Sequence, residues 1–343
     1  MHDLSVEMAD RGHDVTVLTR RGRDRPGTRR VDGFDVRYAP RPRVSRRVLG
    51  LDALEGFSIS AALHGLSHPA DVHHAFYIAD AYGLTLAGRL RHRPLIFSWH
   101  GFPERAWWED HEPRTHRWYL RMTEQADVVT VMTEASAEQL RRDYGREAVV
   151  LTPGVFVDDF IRPRRAAPDR LIVCAAAVDD GRKRIDLLLS AFEIAARELD
   201  DIRLLLVGHG DASVVRQQVA RMDDSIASRI DWRPEADLPA AYAGCAVGAL
   251  TSYKEAFGLV AIEYLAAGIP ALVSDDGGAA EIVTPGTGVA FTCGDVEACA
   301  AGLREALELA GDPSTPARCQ ARAREYDWSR RADAYEDLYR KLA

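Results

Sequence analysis

Two glutamates frame the most informative segment of the chain, EAFGLVAIEYLAAGIPALV, which begins at Glu255. After Glu255 its only charged residue is Glu263, in the middle of a predicted helix that is apolar nearly all round. Such a helix is buried, and burying an ionised carboxylate is very costly unless the carboxylate meets a donor group. Glu263 therefore requires a partner, either a group of the protein or a ligand.

The spacing of the two acids matches the size of a nucleotide. Eight residues on a single helix span about 12 Å, comparable to a diphosphate plus a ribose. Between the acids lies the predicted helix start, where unpaired N–H groups and the helix dipole attract anions. Those N–H groups belong to Phe257, Gly258, Leu259 and Val260. The pattern predicts a nucleotide-sugar site, with one acid on sugar hydroxyls and the other on the ribose diol. The alternative is a core helix whose acid pairs with an arginine.

Length and composition indicate an ordinary globular protein. The 343 residues fit two domains of about 150 to 200 residues. A net charge of −8 argues against general binding of nucleic acid. The five cysteines form no CxxC pair, which argues against a disulfide framework or a zinc site. The start of the chain carries acids and has no apolar signal region, so we expect a cytoplasmic protein.

Apolar runs typical of strands alternate with amphipathic segments along the whole chain, which predicts α/β domains built on parallel sheets. The predicted strands are residues 14–19, 36–39, 71–75, 94–99, 127–132, 148–151, 171–178, 203–207, 246–250, 270–273 and 288–291. The predicted helices include residues 78–91, 114–125, 185–199, 258–267, 296–310 and 328–342. Residues 160–169, rich in proline and arginine, are the predicted linker.

The first predicted element is a helix over residues 3–11, closed by Gly12. A doubly wound nucleotide-binding domain normally opens with a strand and a glycine turn before its first helix. That first strand is central in the sheet, so without it two neighbouring strands would have unpaired backbone groups. We therefore expect either a start further upstream or an incomplete first domain, and we favour the former.

The Glu255–Glu263 segment resembles the E-x7-E signature of family 4 retaining glycosyltransferases of the GT-B fold. Shorter pieces resemble that family in the same order along the chain, namely residues 4–18, 98–101, 126–134, 152–155, 204–210, 238–252 and 328–342. The resemblance implies two Rossmann-like, doubly wound parallel-sheet domains facing a cleft, with the first domain lacking its first strand. The implied limits are 1–160 for the acceptor side, 161–325 for the nucleotide sugar, and 326–343 for a helix packing back on the first domain.

The resemblance also implies roles for individual residues. Glu255 would contact hydroxyls of the donor sugar, Glu263 the ribose, and Lys183 in GRKR the diphosphate. His100, at a predicted strand end, would contact the donor sugar or the acceptor. Each has a plainer alternative, because Lys183 could be a solvated helix-start residue and His100 a hydrogen-bonded loop residue.

Three further positions bear on donor binding. Gly208 and Gly210 would let the backbone approach the base or ribose, although an ordinary tight turn would have the same sequence. The family usually has an arginine shortly before the lysine, and the equivalent position here is Ala177. Arg182 or Arg184 would then substitute on the diphosphate, or the donor would bind weakly.

The implied activity is transfer of a sugar from a UDP- or GDP-linked donor to a glycan, a lipid or a small molecule. The resemblance implies retention of anomeric configuration. We expect no dedicated metal, because the helix dipole and side-chain cations supply the positive field, and no cofactor beyond the nucleotide-sugar substrate. A nucleotide-sugar epimerase of the same fold and a catalytically weak or inactive scaffold remain alternatives, and the low lysine content argues against a phosphorylase with a pyridoxal-phosphate lysine.

An arginine-rich stretch stands apart from these motifs. Residues 11–47 contain twelve arginines and four acids. The plain interpretation is a solvated face. The alternative is that the part from Arg20 to Arg47 contacts anionic lipid headgroups or a phosphorylated acceptor, because polybasic segments bind anionic surfaces. In that case the protein would lie at the inner face of a membrane.

Overall fold

The computed structural model describes residues 1–20, 27–39, 53–68, 70–163 and 170–343. The chain divides into two compact units. The first unit comprises Met1–Pro153 together with Trp328–Ala343, and the second comprises Gly154–Asp327.

The described strands of the first unit form two sheets. They are β1 (Thr16–Arg20), β2 (Gly27–Val31), β3 (Phe34–Ala39), β4 (His73–Ala75), β5 (Leu95–Ser98), β6 (Val128–Val131) and β7 (Val149–Val150). One sheet has the order β1-β3-β2 and the other β4-β5-β6-β7. All pairings are parallel except that of β2 with β3. β1 and β4 each lie at the edge of a sheet, and the expected upstream strand stays a prediction.

The antiparallel β2–β3 hairpin is a difference from the sequence prediction, which contains a strand only at residues 36–39. Asp32 and Gly33 form its turn, with φ of 44° and 87°. Positive φ at both central residues is the requirement of the tight turns that suit the twist of a hairpin, and Asp-Gly favours it. The Asp-Gly pair was therefore a usable signal.

Helices cover the sheets of the first unit. They are α1 (His2–Asp10), α2 (Ala53–Ser67), α3 (Ile78–Arg91), α4 (Arg105–His111), α5 (Pro113–Gln125), α6 (Glu134–Tyr144) and, from the end of the chain, α14 (Trp328–Leu342). The last helix is tied to the segment just after α1 by the buried Glu336, which contacts Arg11 at 3.1 Å and His13 at 2.9 Å. The Tyr335 hydroxyl adds a hydrogen bond to the Leu151 carbonyl.

The second unit is built on one parallel sheet among its described residues. Its strands are β8 (Arg170–Ala175), β9 (Ile202–Val207), β10 (Ile230–Arg233), β11 (Val247–Leu250), β12 (Ala271–Ser274) and β13 (Gly288–Phe291). Their order is β10-β9-β8-β11-β12-β13, so the chain moves outward first to one side of β8 and then to the other. The loops after β8 and β11 therefore part at a topological switch point, which is where open α/β sheets bind ligands.

The helices of the second unit complete a doubly wound domain. They are α7 (Ile185–Glu198), α8 (Ser213–Val219), α9 (Asp224–Ala227), α10 (Leu238–Tyr242), α11 (Leu259–Ala266), α12 (Val296–Gly311) and α13 (Thr315–Arg324). Tyr264 of α11 fixes the two strands at the switch point. Its hydroxyl accepts a hydrogen bond from the Ala175 N–H of β8 at 2.8 Å. On β11, Gly248 makes room for the Tyr264 ring, because a Cβ there would be 2.1 Å from a ring carbon.

Candidate active site

Lys183 follows β8 in a short 3-10 turn, Gly181–Lys183. Asp180 caps this turn by accepting a hydrogen bond from the Arg182 N–H at 3.0 Å. Arg184, with φ of 49°, ends the turn before α7 begins. The Lys183 ammonium donates to Oε2 of Glu255 at 2.8 Å, and both side chains are largely buried, with 26% and 18% exposed. The structure therefore brings together two of the predicted catalytic residues.

The backbone on either side of this ion pair is fixed by hydrogen bonds between the two loops. The Thr251 hydroxyl, just after β11, donates to the Lys183 carbonyl at 3.0 Å. The Tyr253 N–H donates to the Arg182 carbonyl at 2.6 Å. The relative position of Lys183 and Glu255 is thus also set by these hydrogen bonds to main-chain carbonyls at the switch point, and does not depend on the ion pair alone.

A third loop, after β12, holds Glu255 from the other side. The Glu255 N–H donates to the Asp276 carbonyl, and the Gly278 N–H donates to the Glu255 carbonyl at 2.8 Å. Gly277 has a φ of 121°, and a Cβ on it would lie 2.2 Å from the Glu255 carbonyl oxygen. Glycine is therefore required here, because any side chain would collide with the backbone that positions Glu255.

One assumption of the sequence analysis was wrong. Glu255 lies in an extended segment that pairs with Gly277, and α11 begins only at Leu259. The two acids therefore do not share a helix, and the 12 Å spacing from the helical rise does not apply to them. The extended segment follows from the bridge to Gly277, which the local sequence does not reveal.

The start of α11 keeps the predicted character of an anion site. Gly258 is the N-cap, with φ of 100°, and among the described residues no side-chain cap is found on this helix. A glycine N-cap has no side chain to accept from the first-turn N–H groups, which include those of Leu259 and Val260, and such groups suit phosphate binding at a helix start. Phe257 is buried and packs edge-on against Tyr326, which anchors the approach to the helix.

Glu263 is half-buried one turn further along α11. Its Oε2 accepts a hydrogen bond from the hydroxyl of the buried Tyr242 at 3.1 Å. Burial, together with the Glu263 charge, raises the pKa of Tyr242, so this partner is a neutral donor. Tyr242 packs edge-on against Tyr264. Tyr242 was not identified from the sequence, because an aromatic residue in an alanine-rich helix indicates only a position in the hydrophobic core.

Gly208 and Gly210 form the turn after β9, with φ of 149° and 124°. A Cβ on Gly208 would lie 1.9 Å from the Ala176 carbonyl oxygen, and one on Gly210 would lie 2.3 Å from an Asp179 carboxylate oxygen. The protein itself thus requires both glycines, which supports the tight-turn alternative. Their contact with a base or ribose stays a prediction.

The two arginines suggested as substitutes at Ala177 both have acidic partners nearby. Arg182 is 62% exposed and pairs with Asp180 at 2.8 Å. Arg184 pairs with Asp186 at 3.1 Å. Burial works against the ionised form of Asp180, but the Arg182 hydrogen bonds outweigh it, so the pKa of Asp180 is lowered. Ala177 itself is half-buried.

His100 belongs to the first unit, where it follows β5. Its ring stacks on Phe76 at 5.3 Å, and Phe76 stacks in turn on His74 at 4.0 Å. His74 is hydrogen-bonded between the Tyr339 and Ser98 hydroxyls, each at 2.7 Å. Burial lowers the pKa of His74 to about 3, so this histidine is a neutral structural link behind Phe76. The role predicted for His100 stays a prediction.

Comparison with known proteins settles the family. The profile described as Glycosyltransferase Family 4 matches residues 1–159, and the profile described as Glycosyl transferases group 1 matches residues 157–326. Together they cover nearly the whole chain. This chain belongs to glycosyltransferase family 4. The family predicted from the E-x7-E segment is therefore confirmed.

Curated and solved proteins are similar to this family 4 chain. D-inositol 3-phosphate glycosyltransferase of Streptomyces avermitilis is 32% identical over 248 residues, which are 64% of this chain and 53% of that protein. The chain thus spans about half the length of the curated relatives it matches. Sucrose-phosphate synthase from Thermosynechococcus elongatus is 20% identical, with a TM-score of 0.82 over 99% of this chain and 92% of that one.

A second solved structure, Anabaena HepE in complex with UDP-glucose, is 18% identical and has a TM-score of 0.71. The similarity covers 90% of this chain and 86% of that one. The solved structures share the predicted GT-B class, which is thereby confirmed as the fold.

Proposed function

We propose that this family 4 protein transfers a hexose from a nucleoside diphosphate sugar to an acceptor hydroxyl. The observation that carries the proposal is the Lys183–Glu255 pair at the switch point of the second unit, followed within four residues by the uncapped start of α11. A cation, a carboxylate and helix N–H groups in this order suit a phosphate and its attached sugar. The names of the relatives support this proposal, because one is a glycosyltransferase and another binds UDP-glucose.

The donor is positioned as follows in this proposal. Lys183 and the N–H groups of Leu259 and Val260 bind the diphosphate. Glu255 accepts hydrogen bonds from hydroxyls of the sugar, and Glu263 accepts them from the ribose diol. An ammonium group has three N–H donors, so Lys183 can keep its contact with Glu255 while it donates to a phosphate oxygen.

The reaction breaks the bond between the anomeric carbon and the leaving phosphate oxygen, and the sugar becomes oxocarbenium-like. The acceptor hydroxyl attacks from the same face, which retains the anomeric configuration, and the departing phosphate takes its proton. Lys183 and the α11 dipole stabilise the negative charge on the leaving group, where fixed charges have their largest catalytic effect. These groups supply the positive field that a metal would otherwise provide, so we propose that the reaction needs no metal.

The proposed acceptors include more chemical classes than the proposed donors. A relative named for inositol 3-phosphate favours a polyol or sugar phosphate, and glycan or lipid acceptors remain within the proposal.

The arginine-rich stretch from Arg20 to Arg47 falls partly on residues 21–26 and 40–52, which lie outside the described residues. A cytoplasmic location with peripheral contact to an anionic membrane through this stretch stays a proposal.

Assays with UDP- and GDP-linked sugars test the function directly. We expect release of nucleoside diphosphate that depends on an added acceptor, with sugar phosphates and inositol phosphates tried first. Conversion of the donor sugar without an acceptor would identify an epimerase instead. Nucleotide binding without turnover across donors and acceptors would identify a scaffold.

Glu263 provides a separate test of the ribose contact. Glu263→Gln is expected to weaken binding of UDP or GDP by about tenfold or more, because a hydrogen bond to a charged group contributes about 1.5–3 kcal/mol. The nucleotide and the nucleotide sugar should lose affinity equally, since both contain the ribose. Titration calorimetry with each ligand measures this, with the exposed Glu297→Gln as the matched control. Unchanged affinity for the free nucleotide would contradict the assignment.

Ala177 offers a test by gain of affinity. Ala177→Arg is expected to tighten nucleoside diphosphate binding by about tenfold, because it adds a charge-assisted hydrogen bond to phosphate. Ala177→Gln, of similar length but uncharged, should have little effect. If the arginine variant keeps the wild-type melting temperature and binds the nucleotide no better, the diphosphate does not lie beside this residue.

A further inference from the structure

Two neighbouring helices of the first unit expose large apolar side chains. They are Ile59 and Leu63 on α2, and Leu86 and Leu90 on α3, with 42%, 63%, 54% and 61% of their surface exposed. We call these four residues the α2–α3 patch. Single exposed leucines are normal on protein surfaces. Two pairs on adjacent helices, each spaced by four residues, form a stripe instead.

The helix packing places both pairs on the same outer side. A Cβ on Gly83 would lie 2.9 Å from the Ala61 Cβ, and one on Gly65 would lie 2.7 Å from the Ala87 Cβ. The contact advances by four residues along both helices, so α2 and α3 run parallel and very close together.

At about 100° per residue, Ile59 and Leu63 are rotated in one sense from this contact line, and Leu86 and Leu90 in the opposite sense. On two neighbouring parallel helices, side chains that are rotated in opposite senses from the contact line point to the same side of the helix pair. The half-buried Leu66 faces that side as well, so the patch is continuous across the two helices.

Arginines and aromatic rings border the patch on the side of α5. Arg89 and Tyr82 continue the outer face of α3 beyond Leu86. The Tyr82 ring packs edge-on against Trp118 at 4.7 Å, and the Arg121 guanidinium lies over Tyr82 at 5.7 Å. On α5, exposed arginines recur at helical spacing at positions 114, 117 and 121.

The charge of this face selects among possible occupants. Among the side chains that the structure describes on these three helices, the exposed charged groups are five arginines and one acid, Glu124, whereas the whole chain has a net charge of −8. Two copies of the patch would bring like charges together, which disfavours self-association. An apolar stripe with arginines and aromatic rings at its border is the pattern of elements that lie in a membrane interface.

We propose that the outer face of α2, α3 and α5 binds the surface of an anionic lipid bilayer. The leucines of the patch enter the boundary between headgroups and acyl chains, while Arg89, Arg117 and Arg121 contact the anionic headgroups. No helix in the described ranges is long and apolar enough to cross a bilayer, so the contact is peripheral. This inference concerns binding alone and does not depend on the proposed transfer reaction.

Flotation with vesicles tests the proposal on the full chain. Vesicles of phosphatidylcholine with phosphatidylglycerol should bind the protein, more weakly at high salt, whereas pure phosphatidylcholine should bind it poorly. The double variant Leu63→Gln/Leu90→Gln should lower the partition coefficient by about tenfold or more, because it removes two apolar side chains from the interface. Arg89→Gln/Arg121→Gln should lower it by about tenfold and reduce the salt dependence.

Matched controls come from the second unit. Val214, 62% exposed on α8, and the exposed Arg221 are expected to tolerate Val214→Gln and Arg221→Gln with unchanged binding. Melting curves establish that the patch variants fold. The proposal is wrong if folded patch variants bind anionic vesicles as the wild type does, or if the wild type does not bind them. It is also wrong if light scattering shows a dimer that the patch variants convert to monomers without change in vesicle binding.

Discussion

Lys183→Ala is expected to lower turnover by about 10²- to 10³-fold, the usual effect of removing one preorganised group that stabilises transition-state charge. Lys183 lies in the turn after β8, and the carbonyls of residues 182 and 183 accept hydrogen bonds from the Tyr253 N–H and the Thr251 hydroxyl of the adjacent loop. Lys183 therefore needs no reorganisation when charge develops on the leaving phosphate. Steady-state rates with a saturating nucleotide sugar give the change in kcat.

The chain offers a matched control for this variant. Lys341 is an exposed lysine in the last turn of α14, and Lys341→Ala should leave kcat unchanged. Arg182→Ala should have a much smaller effect than Lys183→Ala, because the Arg182 side chain is largely exposed and already paired with Asp180. A Lys183→Ala protein with near-normal kcat would remove the basis for the leaving-group role.

Loss of fold must be separated from loss of catalysis. Without Lys183, the Glu255 carboxylate is left largely buried without its 2.8 Å partner, and such a change costs about 1–3 kcal/mol of stability. The hydrogen bonds from the Thr251 hydroxyl and the Tyr253 N–H to main-chain carbonyls remain. We therefore expect a modest fall in melting temperature and an intact fold, so that the rate loss reports chemistry.

The parts of the fold that follow hydrophobic periodicity could be predicted from the sequence. Helix α3 and helix α14 were predicted with their observed limits, and β13 likewise. The β2 strand was missed because GTRRV has one apolar residue and no alternation, and the strand exists only through its pairing with β3. Periodicity does not report elements that depend on a partner.

The same distinction applies to the site. Glu255 and Glu263 were found because charges in an apolar segment require an explanation. Their partners come from distant parts of the chain. Lys183 was identified only through the family resemblance, and Tyr242 was not identified. The extended conformation of Glu255 depends on Gly277, 22 residues later. Contacts between strand ends are set by sheet order, which local sequence does not encode.

Glu255→Ala is expected to lower turnover by about two orders of magnitude or more, through the lost contact with sugar hydroxyls. Its effect on binding should differ from that of Glu263→Gln. Free UDP or GDP lacks the sugar that Glu255 contacts, so affinity for the nucleotide should change little while kcat/KM for the nucleotide sugar falls. Calorimetry with the nucleotide and kinetics with the nucleotide sugar separate the two contributions.

The ion pair makes a double-mutant cycle informative. If Lys183 and Glu255 act as one unit, the Lys183→Ala/Glu255→Ala protein should be little slower than either single variant, because residues in contact are strongly non-additive. If the two effects on turnover multiply instead, Lys183 stabilises the leaving group without help from Glu255, and the carboxylate acts on the sugar alone. Near-normal turnover in the Glu255→Ala protein would rule out both versions, since the pair is the feature from which the transfer reaction was inferred.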